Sequence, residues 1–327
     1  MKAWQVTTLG EPVDALELVE LPEPAPGPGQ LLVRVHAAAL SYPDALLCRG
    51  SYQVKPPLPF TLGVEAAGTV VAPGEGVQEW SPGQRVLGMP VSGGLAELTV
   101  FDAAHAFTAP EDLDDDESAA LHMNYQTAHF ALHRRAGLSA GETVLVHAGA
   151  GGVGSATIQL ARAAEARVIA VVGGEHKVEV ARRLGAHVVI DRFAEDFVAV
   201  VKSHTDGRGA DVVVDPVGGD AFTRSTKCIA FEGRIVVVGF TGGSFGQLAT
   251  NHALVKNYAV LGLHWGLYRF TTPELVATVQ RELDGLVAAG VVRPLVTERL
   301  AMSDAPDGVT RLSAGETTGR LVVSPIR

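Results

Sequence analysis

Cysteine is scarce in this 327-residue chain, which carries only Cys48 and Cys228, far apart in sequence. No C-x-x-C pair exists, which excludes a cysteine zinc finger, an iron–sulfur motif and a disulfide framework. Positive charge is also short: 26 Lys and Arg stand against 36 Asp and Glu, a net charge of −10. That balance argues against nucleic acid or an anionic membrane as partner, while leaving room for a local basic pocket around a phosphate. The uncharged runs 143–161 and 235–255 are interrupted by glycines and polar residues, so neither reads as a membrane span. The first residues, MKAWQVTTLGEPVD, lack the apolar core of a signal peptide, and a cytoplasmic location is expected.

Apolar residues are plentiful. At 47% hydrophobic the chain has ample material for a core, and its length suggests two domains at ~150 residues each. The first ~100 residues read as short strands and turns, among them LLVRVHAAAL (31–40), EAAGTVVAP (65–73) and LAELTVF (95–101). This pattern predicts a β-barrel-like domain. The acidic stretch APEDLDDDES (109–118) is expected to be a solvated helix start, followed by one helical run over 119–135. From 143 onward, apolar Val and Ile runs alternate with helical segments, which predicts a parallel sheet with right-handed crossovers. A long helix over 273–289 and the strand LVVS (321–324) complete the chain, whereas QLATNHALVKN (247–257) reads as a poor helix.

The sequence Gly149-Ala150-Gly151-Gly152-Val153-Gly154 matches G-x-G-x-x-G, directly after a predicted strand and at the start of a predicted helix. In that context the glycines permit a tight turn, close backbone approach to a pyrophosphate, and close helix–strand packing. The helix N-terminus adds free N–H groups, and Ser155 is a candidate hydroxyl donor. A Walker A loop is excluded, since no G-K-[ST] follows. The second strand ends in Gly173 and Gly174 with no acid to hold a ribose 2′-hydroxyl; Lys177 lies one helical turn on, and Arg192 follows the third strand. Two cations around a glycine pair suit a 2′-phosphate, which favours NADPH. Glu175 is the counter-signal.

These pieces, taken in order, resemble the zinc-free quinone oxidoreductase (zeta-crystallin-like) branch of the medium-chain dehydrogenase/reductase superfamily. GPGQLLVRVHAAAL (27–40), YQVKPPLPFTLGVEAAGTVV (52–71), NYQTAHFAL (124–132), AGAGGVGSATIQLA (148–161), DVVVDPVGGDAF (211–222) and TTGRLVV (317–323) carry the resemblance. It implies an α/β fold, a Rossmann doubly wound parallel sheet (124–265) inserted after a GroES-like β-barrel domain (1–123 and 266–327), with the active site in the cleft between them. It also implies a homodimer through the edge of the Rossmann sheet.

Departures from the zinc-dependent relatives are informative. Their G-H-E motif reads Gly63-Val64-Glu65 here, no Cys stands within Ser41-Tyr42-Pro43-Asp44, and the four-Cys structural lobe is missing. Without thiolate or imidazole at these positions no catalytic zinc is expected, and alcohol oxidation is disfavoured. The resemblance places Ser41, Asp44, Tyr52 and His264 on the catalytic side. It places Thr127, Gly239, Phe240, Leu263 and Trp265 along the nicotinamide, and Gly174, Lys177 and Arg192 around the 2′-phosphate.

The expected reaction is hydride transfer from NADPH to a quinone or an α,β-unsaturated carbonyl, with protein groups stabilising the oxyanion. An enoyl-thioester reductase and a non-catalytic NADPH-binding protein are the alternatives. The first of these needs a basic groove, for which Arg49, Lys55 and Arg269 are the obvious cations. Three other patterns carry blander readings. His129 and His133 suit a helix face better than a metal. Gly242-Gly243-Ser244-Phe245-Gly246 lacks the helix of a nucleophile elbow, and Cys48 suits a small apolar residue.

Overall fold

The structure, a computed structural model, describes residues 1–325. The chain packs as two compact units, one built from residues 1–123 and those from 280 onward, the other from residues 124–279.

The first unit begins with strands β1 (Lys2–Val6), β2 (Leu16–Glu20), β3 (Gln30–Ala39), β4 (Phe60–Thr61), β5 (Ala66–Pro73), β6 (Arg85–Gly88), β7 (Leu98–Asp102) and β8 (Ala106–Thr108). β2, β1 and β4 form a small antiparallel sheet. β3 is the hub of the larger sheet, pairing antiparallel with both β5 and β7. Alternate residues Leu31, Val33 and Val35 point into a core shared with Val70, Val86 and Phe101. That alternation is what a half-buried strand requires.

The second unit holds six parallel strands: β9 (Thr143–His147), β10 (Arg167–Val172), β11 (Val188–Asp191), β12 (Ala210–Asp215), β13 (Ile229–Val237) and β14 (Ala259–Gly262). Their order is β11-β10-β9-β12-β13-β14, so the sheet reverses direction of winding between β9 and β12. This is the doubly wound order, and ligands of such sheets bind beyond the carboxyl ends at that switch. β9 is buried at every position, as expected of a strand covered on both faces. β13 meets β12 with a register shift between Ala210 and Val212.

The chain then returns to the first unit through β15 (Val296–Ala301) and β16 (Arg320–Ser324), and β16 pairs with β3. The α/β class, with a doubly wound parallel sheet following an antiparallel β domain, is as the sequence implies. The second crossing between units lies at 279/280 by packing, against the 265/266 of the sequence reading. Helix Pro273–Ala288 begins with the second unit, where Gln126 Nε2 donates to the Val276 carbonyl at 2.9 Å.

Three local expectations are corrected. The run over 119–135 is not one helix: Asp115–Ala119 and His122–His129 are separate, and Phe130–Arg135 widens into a π-helix. The Ala136 N–H accordingly donates to Ala131, five residues back. Nor is the acidic helix start simply solvated. Asp114 and Glu117 form a capping box, and Asp115, Asp116 and Glu117 pair with Arg85, Arg299 and Arg293. Two of these arginines come from the C-terminal return, which no local pattern could announce. Finally, Thr250–Lys256 is a helix, closed by Asn257 in the left-handed conformation, although none of its residues is buried.

Candidate functional site

β9 delivers the glycine loop to the sheet's switch point. Gly149 lies so close to β10 that a Cβ there would stand 2.9 Å from Ala170 Cβ. Gly151 caps helix Gly152–Ala163. At Gly154 a Cβ would meet the Ala148 carbonyl oxygen at 2.1 Å. Only hydrogen fits, so helix and turn approach as a phosphate cradle requires. Gly151, Gly152 and Val153 keep part of their surface exposed, and the first-turn N–H groups point out of the helix end. Ser155 does not join them. It is buried, and its hydroxyl donates to the Gly152 carbonyl at 2.9 Å. A phosphate needs donors, and this one is already committed.

At the end of β10 the turn Gly173-Gly174 leads into helix Glu175–Arg183, with Gly174 at φ 100°. Arg192 lies across this turn: a Cβ on Gly173 would stand 2.8 Å from its Nε. Its guanidinium also sits 4.4 Å over the Phe193 ring. Lys177 is half-buried in the first turn of the same helix. The sequence reading missed Asp191. Its Oδ1 accepts from Gly174 N at 2.9 Å and Phe193 N at 3.0 Å, and these bonds hold its carboxyl below the usual range. An acid ending the third strand was visible, but nothing local announced its partner.

The strip carried over for the nicotinamide lies in this unit. Thr127 is nearly buried in helix His122–His129; Gly239 and Phe240 follow β13; Leu263 and Trp265 are buried after β14, whereas His264 is exposed. Phe240 meets Phe245 edge-to-face at 4.7 Å. Beside them a cavity of about 160 Å³ is lined by Phe222, Val237, Phe240, Phe245, Leu248 and Val260. Its walls are apolar, and its volume suits one six-membered ring. Asp215, at the end of β12, accepts from Val217 N and Gly218 N and fixes the following turn.

In the first unit, Ser41 caps helix Tyr42–Cys48. Asp44 Oδ2 accepts from Ser41 N at 2.8 Å, and Oδ1 accepts from Val64 N at 3.3 Å. Burial pushes the Asp44 carboxyl up to about 7, against those N–H groups and the Arg320 charge, which pull it down. Glu65 is fully buried. Its Oε2 accepts from Arg320 Nη2 at 2.7 Å and its Oε1 from Met123 N at 2.7 Å. Ser41 and Glu65 thus join Arg320 in a carboxylate–guanidinium network, and Val64, where zinc-dependent relatives carry His, offers no ligand. Among the described residues no three His, Cys, Asp or Glu side chains cluster as a metal site. Tyr52 is half-buried against the core of this unit. Cys48 is buried, with its thiol pushed up to about 12 by burial, as an inert apolar residue would be.

The GroES-like domain model of alcohol dehydrogenases matches residues 27–111, and the zinc-binding dehydrogenase model matches residues 152–281. Quinone oxidoreductase-like protein 2 of Bos taurus is 35% identical over 91% of this chain and 85% of its own. The chain belongs to the medium-chain dehydrogenase/reductase superfamily, in its zinc-free quinone oxidoreductase branch. Among solved members of the branch, Escherichia coli quinone oxidoreductase in complex with NADPH superposes with a TM-score of 0.92 at 29% identity, covering 99% of this chain and 100% of that one. Phthioceranic/hydroxyphthioceranic acid synthase of Mycobacterium tuberculosis is 34% identical over 98% of this chain, which spans 15% of that protein. The branch's nucleotide-binding half carries the zinc-binding dehydrogenase label, but the ligand residues are absent from Ser41 and from Gly63-Val64-Glu65.

His129 and His133 stack with ring centroids 4.5 Å apart, and burial pushes His129 down to about 4. Ser244 lies on a loop against Gly219, away from any strand-to-helix elbow. Arg49, a candidate for a carrier-phosphate groove, is held by Glu11 at 2.8 and 2.6 Å.

Proposed function

We propose that the protein is a zinc-independent NADPH-dependent oxidoreductase that reduces a quinone or an α,β-unsaturated carbonyl. The observation that carries the reading is the pairing of the glycine cradle at the switch point with Lys177 and Arg192 around Gly173-Gly174. The cradle fits a dinucleotide because Gly149 and Gly154 leave no room for a Cβ. Helix Gly152–Ala163 would hold the pyrophosphate on its first-turn N–H groups. Lys177 and Arg192 would hold the 2′-phosphate through charge-assisted bonds. Asp191 orders the turn beneath them.

The bound cofactor supplies a hydride. The chain's residues must then place the acceptor and stabilise the oxygen on which charge develops. Ser41, Asp44, Tyr52 and His264 are assigned to that side, with Thr127, Gly239, Phe240, Leu263 and Trp265 along the nicotinamide. Tyr52 would be a proton donor of the pocket. The apolar cavity beside Phe240 supports an acceptor bearing a ring or a short alkyl group. Commitment of Arg49 to Glu11 weighs against an enoyl-thioester reductase, which needs cations for its carrier. The synthase relative keeps that alternative within the same assay.

We also assign a homodimer. Among the described residues β14 ends the parallel sheet with an open edge; Phe231 on the neighbouring β13, and Phe245, Leu254 and Val255 before β14, are each more than two-thirds exposed. Leu254 and Val255 lie side by side on one helix with no buried residue, which supports an association surface there. Turnover of NADPH with quinones, enones and enoyl thioesters tests the function, and NADPH binding without turnover would leave a non-catalytic binding protein.

A further inference from the structure

The turn Gly173-Gly174 joins the carboxyl end of β10 to helix Glu175–Arg183. Two basic side chains lie against it. A Cβ on Gly173 would stand 2.8 Å from Arg192 Nε and 3.2 Å from its Nη2. A Cβ on Gly174 would stand 3.2 Å from both Cε1 and Nδ1 of His176. One glycine is thus covered by a guanidinium and the next by an imidazole. His176 is exposed, and among the described residues no hydrogen bond holds its ring.

The side-chain charges around this turn balance while His176 is neutral. Glu175 and Lys177 come from the same helix as His176; Asp191 ends β11 and Arg192 follows it. Glu179, one helical turn on, is paired with Arg182 at 3.1 Å. Two cations therefore stand against two carboxylates. The Gly174 and Phe193 amides are the main cause that holds the Asp191 carboxyl below its usual range, and the charges of Arg192 and His176 add to them. His176 is thus within electrostatic reach of the acid beneath the turn. A bound phosphate calls for a net positive site. Protonation of His176 supplies it, and histidine is the side chain whose charge changes between about pH 5 and 8.

We infer that His176 is a specificity-determining residue of the dinucleotide site: its protonated imidazole beside Gly174 gives the turn the positive charge that selects a 2′-phosphate, so the preference for NADPH over NADH falls as pH rises. The inference rests on the function proposed above and adds a pH dependence to that same site. No covalent step is involved. The imidazolium donates to a phosphate oxygen next to Arg192 and Lys177, and the neutral ring donates more weakly.

Fluorescence titration of the full-length protein tests it, with Kd for NADPH and for NADH measured from about pH 6.5 to about pH 8.5. A phosphate monoester takes its second charge near pH ~6, so the ligand's own ionisation does not weaken binding across this window. The ratio of the two Kd values is expected to fall about fivefold as pH rises, the difference between a charge-assisted and a neutral hydrogen bond. His176→Gln keeps a donor without the charge and should hold the low ratio throughout. His176→Lys keeps the charge across the window and should hold the high ratio to about pH 8.5. Kd for NADH should change little in all three proteins. His176 is exposed, so both variants are expected to keep the wild-type Tm. A wild-type ratio that is constant with pH, a fall that survives His176→Gln, or a parallel loss of NADH affinity would overturn the role of His176 and leave the cofactor reading standing. Equal Kd for NADPH and NADH in the wild type at every pH would overturn that reading, and the inference with it.

Discussion

Asp191 Oδ1 and the Gly174 amide lie 2.9 Å apart, and this bond ties the end of the third Rossmann strand to the turn that ends the second. One oxygen of the acid is thereby committed to backbone, and under the proposed function Lys177 and Arg192 are the cations assigned to the ribose phosphate. Two substitutions separate order from charge. Lys177→Ala should raise KM for NADPH about 10-fold or more, the loss of a charge-assisted bond worth about 1.5–3 kcal/mol, and leave KM for NADH nearly unchanged. Asp191→Ala should raise KM for both dinucleotides alike, because it loosens the turn itself. Steady-state kinetics with each cofactor checks both, and equal effects of Lys177→Ala on both cofactors would remove the 2′-phosphate assignment.

Gly154→Ala places a methyl 2.1 Å from the Ala148 carbonyl oxygen, which is backbone and cannot step aside. Overpacking of this kind costs about 1–3 kcal/mol. We expect a lower Tm and loss of dinucleotide binding by fluorescence titration. A variant with wild-type affinity would show that the loop is not the cradle.

Asp44 makes stability depend on pH. Its folded-state value, pushed up by burial to about 7, lies above that of an unfolded aspartate near ~3.9. The folded state therefore binds the proton more tightly. This contribution to stability is complete below the unfolded value and is lost as pH rises through about 7. Thermal unfolding should show Tm falling by this route from about pH 4 to about pH 7, and levelling above that. Asp44→Asn should flatten that slope, and an unchanged slope would show that Asp44 ionises normally.

Leu254 and Val255 face solvent from a helix with no buried residue. Leu254→Lys should shift the protein from dimer to monomer in sedimentation or light scattering. A monomeric wild type, or a variant that stays dimeric, would contradict the assigned surface.

The fold was legible where sterics or periodicity act locally. The glycine loop could be read because Gly149 and Gly154 each face a neighbour close in sequence or on the adjacent strand. The parallel strands β9 to β11 followed from Val and Ile runs that suit a doubly covered strand. What could not be read joins distant residues. Arg320 meets Glu65 and Ser41 across more than 250 residues, and Arg293 and Arg299 reach back to Glu117 and Asp116. A lone arginine in an apolar strand was the available signal. Ser155 was misread because its hydroxyl competes for a helix carbonyl, a choice that composition does not disclose.

Stopped-flow oxidation of NADPH, in EDTA and across p-quinones, small enones and enoyl thioesters, tests the central claim most directly. The account predicts rapid oxidation with a quinone or enone, slower with NADH, and unaffected by the chelator. Absence of turnover with every acceptor, equal use of NADH, or loss of activity in EDTA would contradict it.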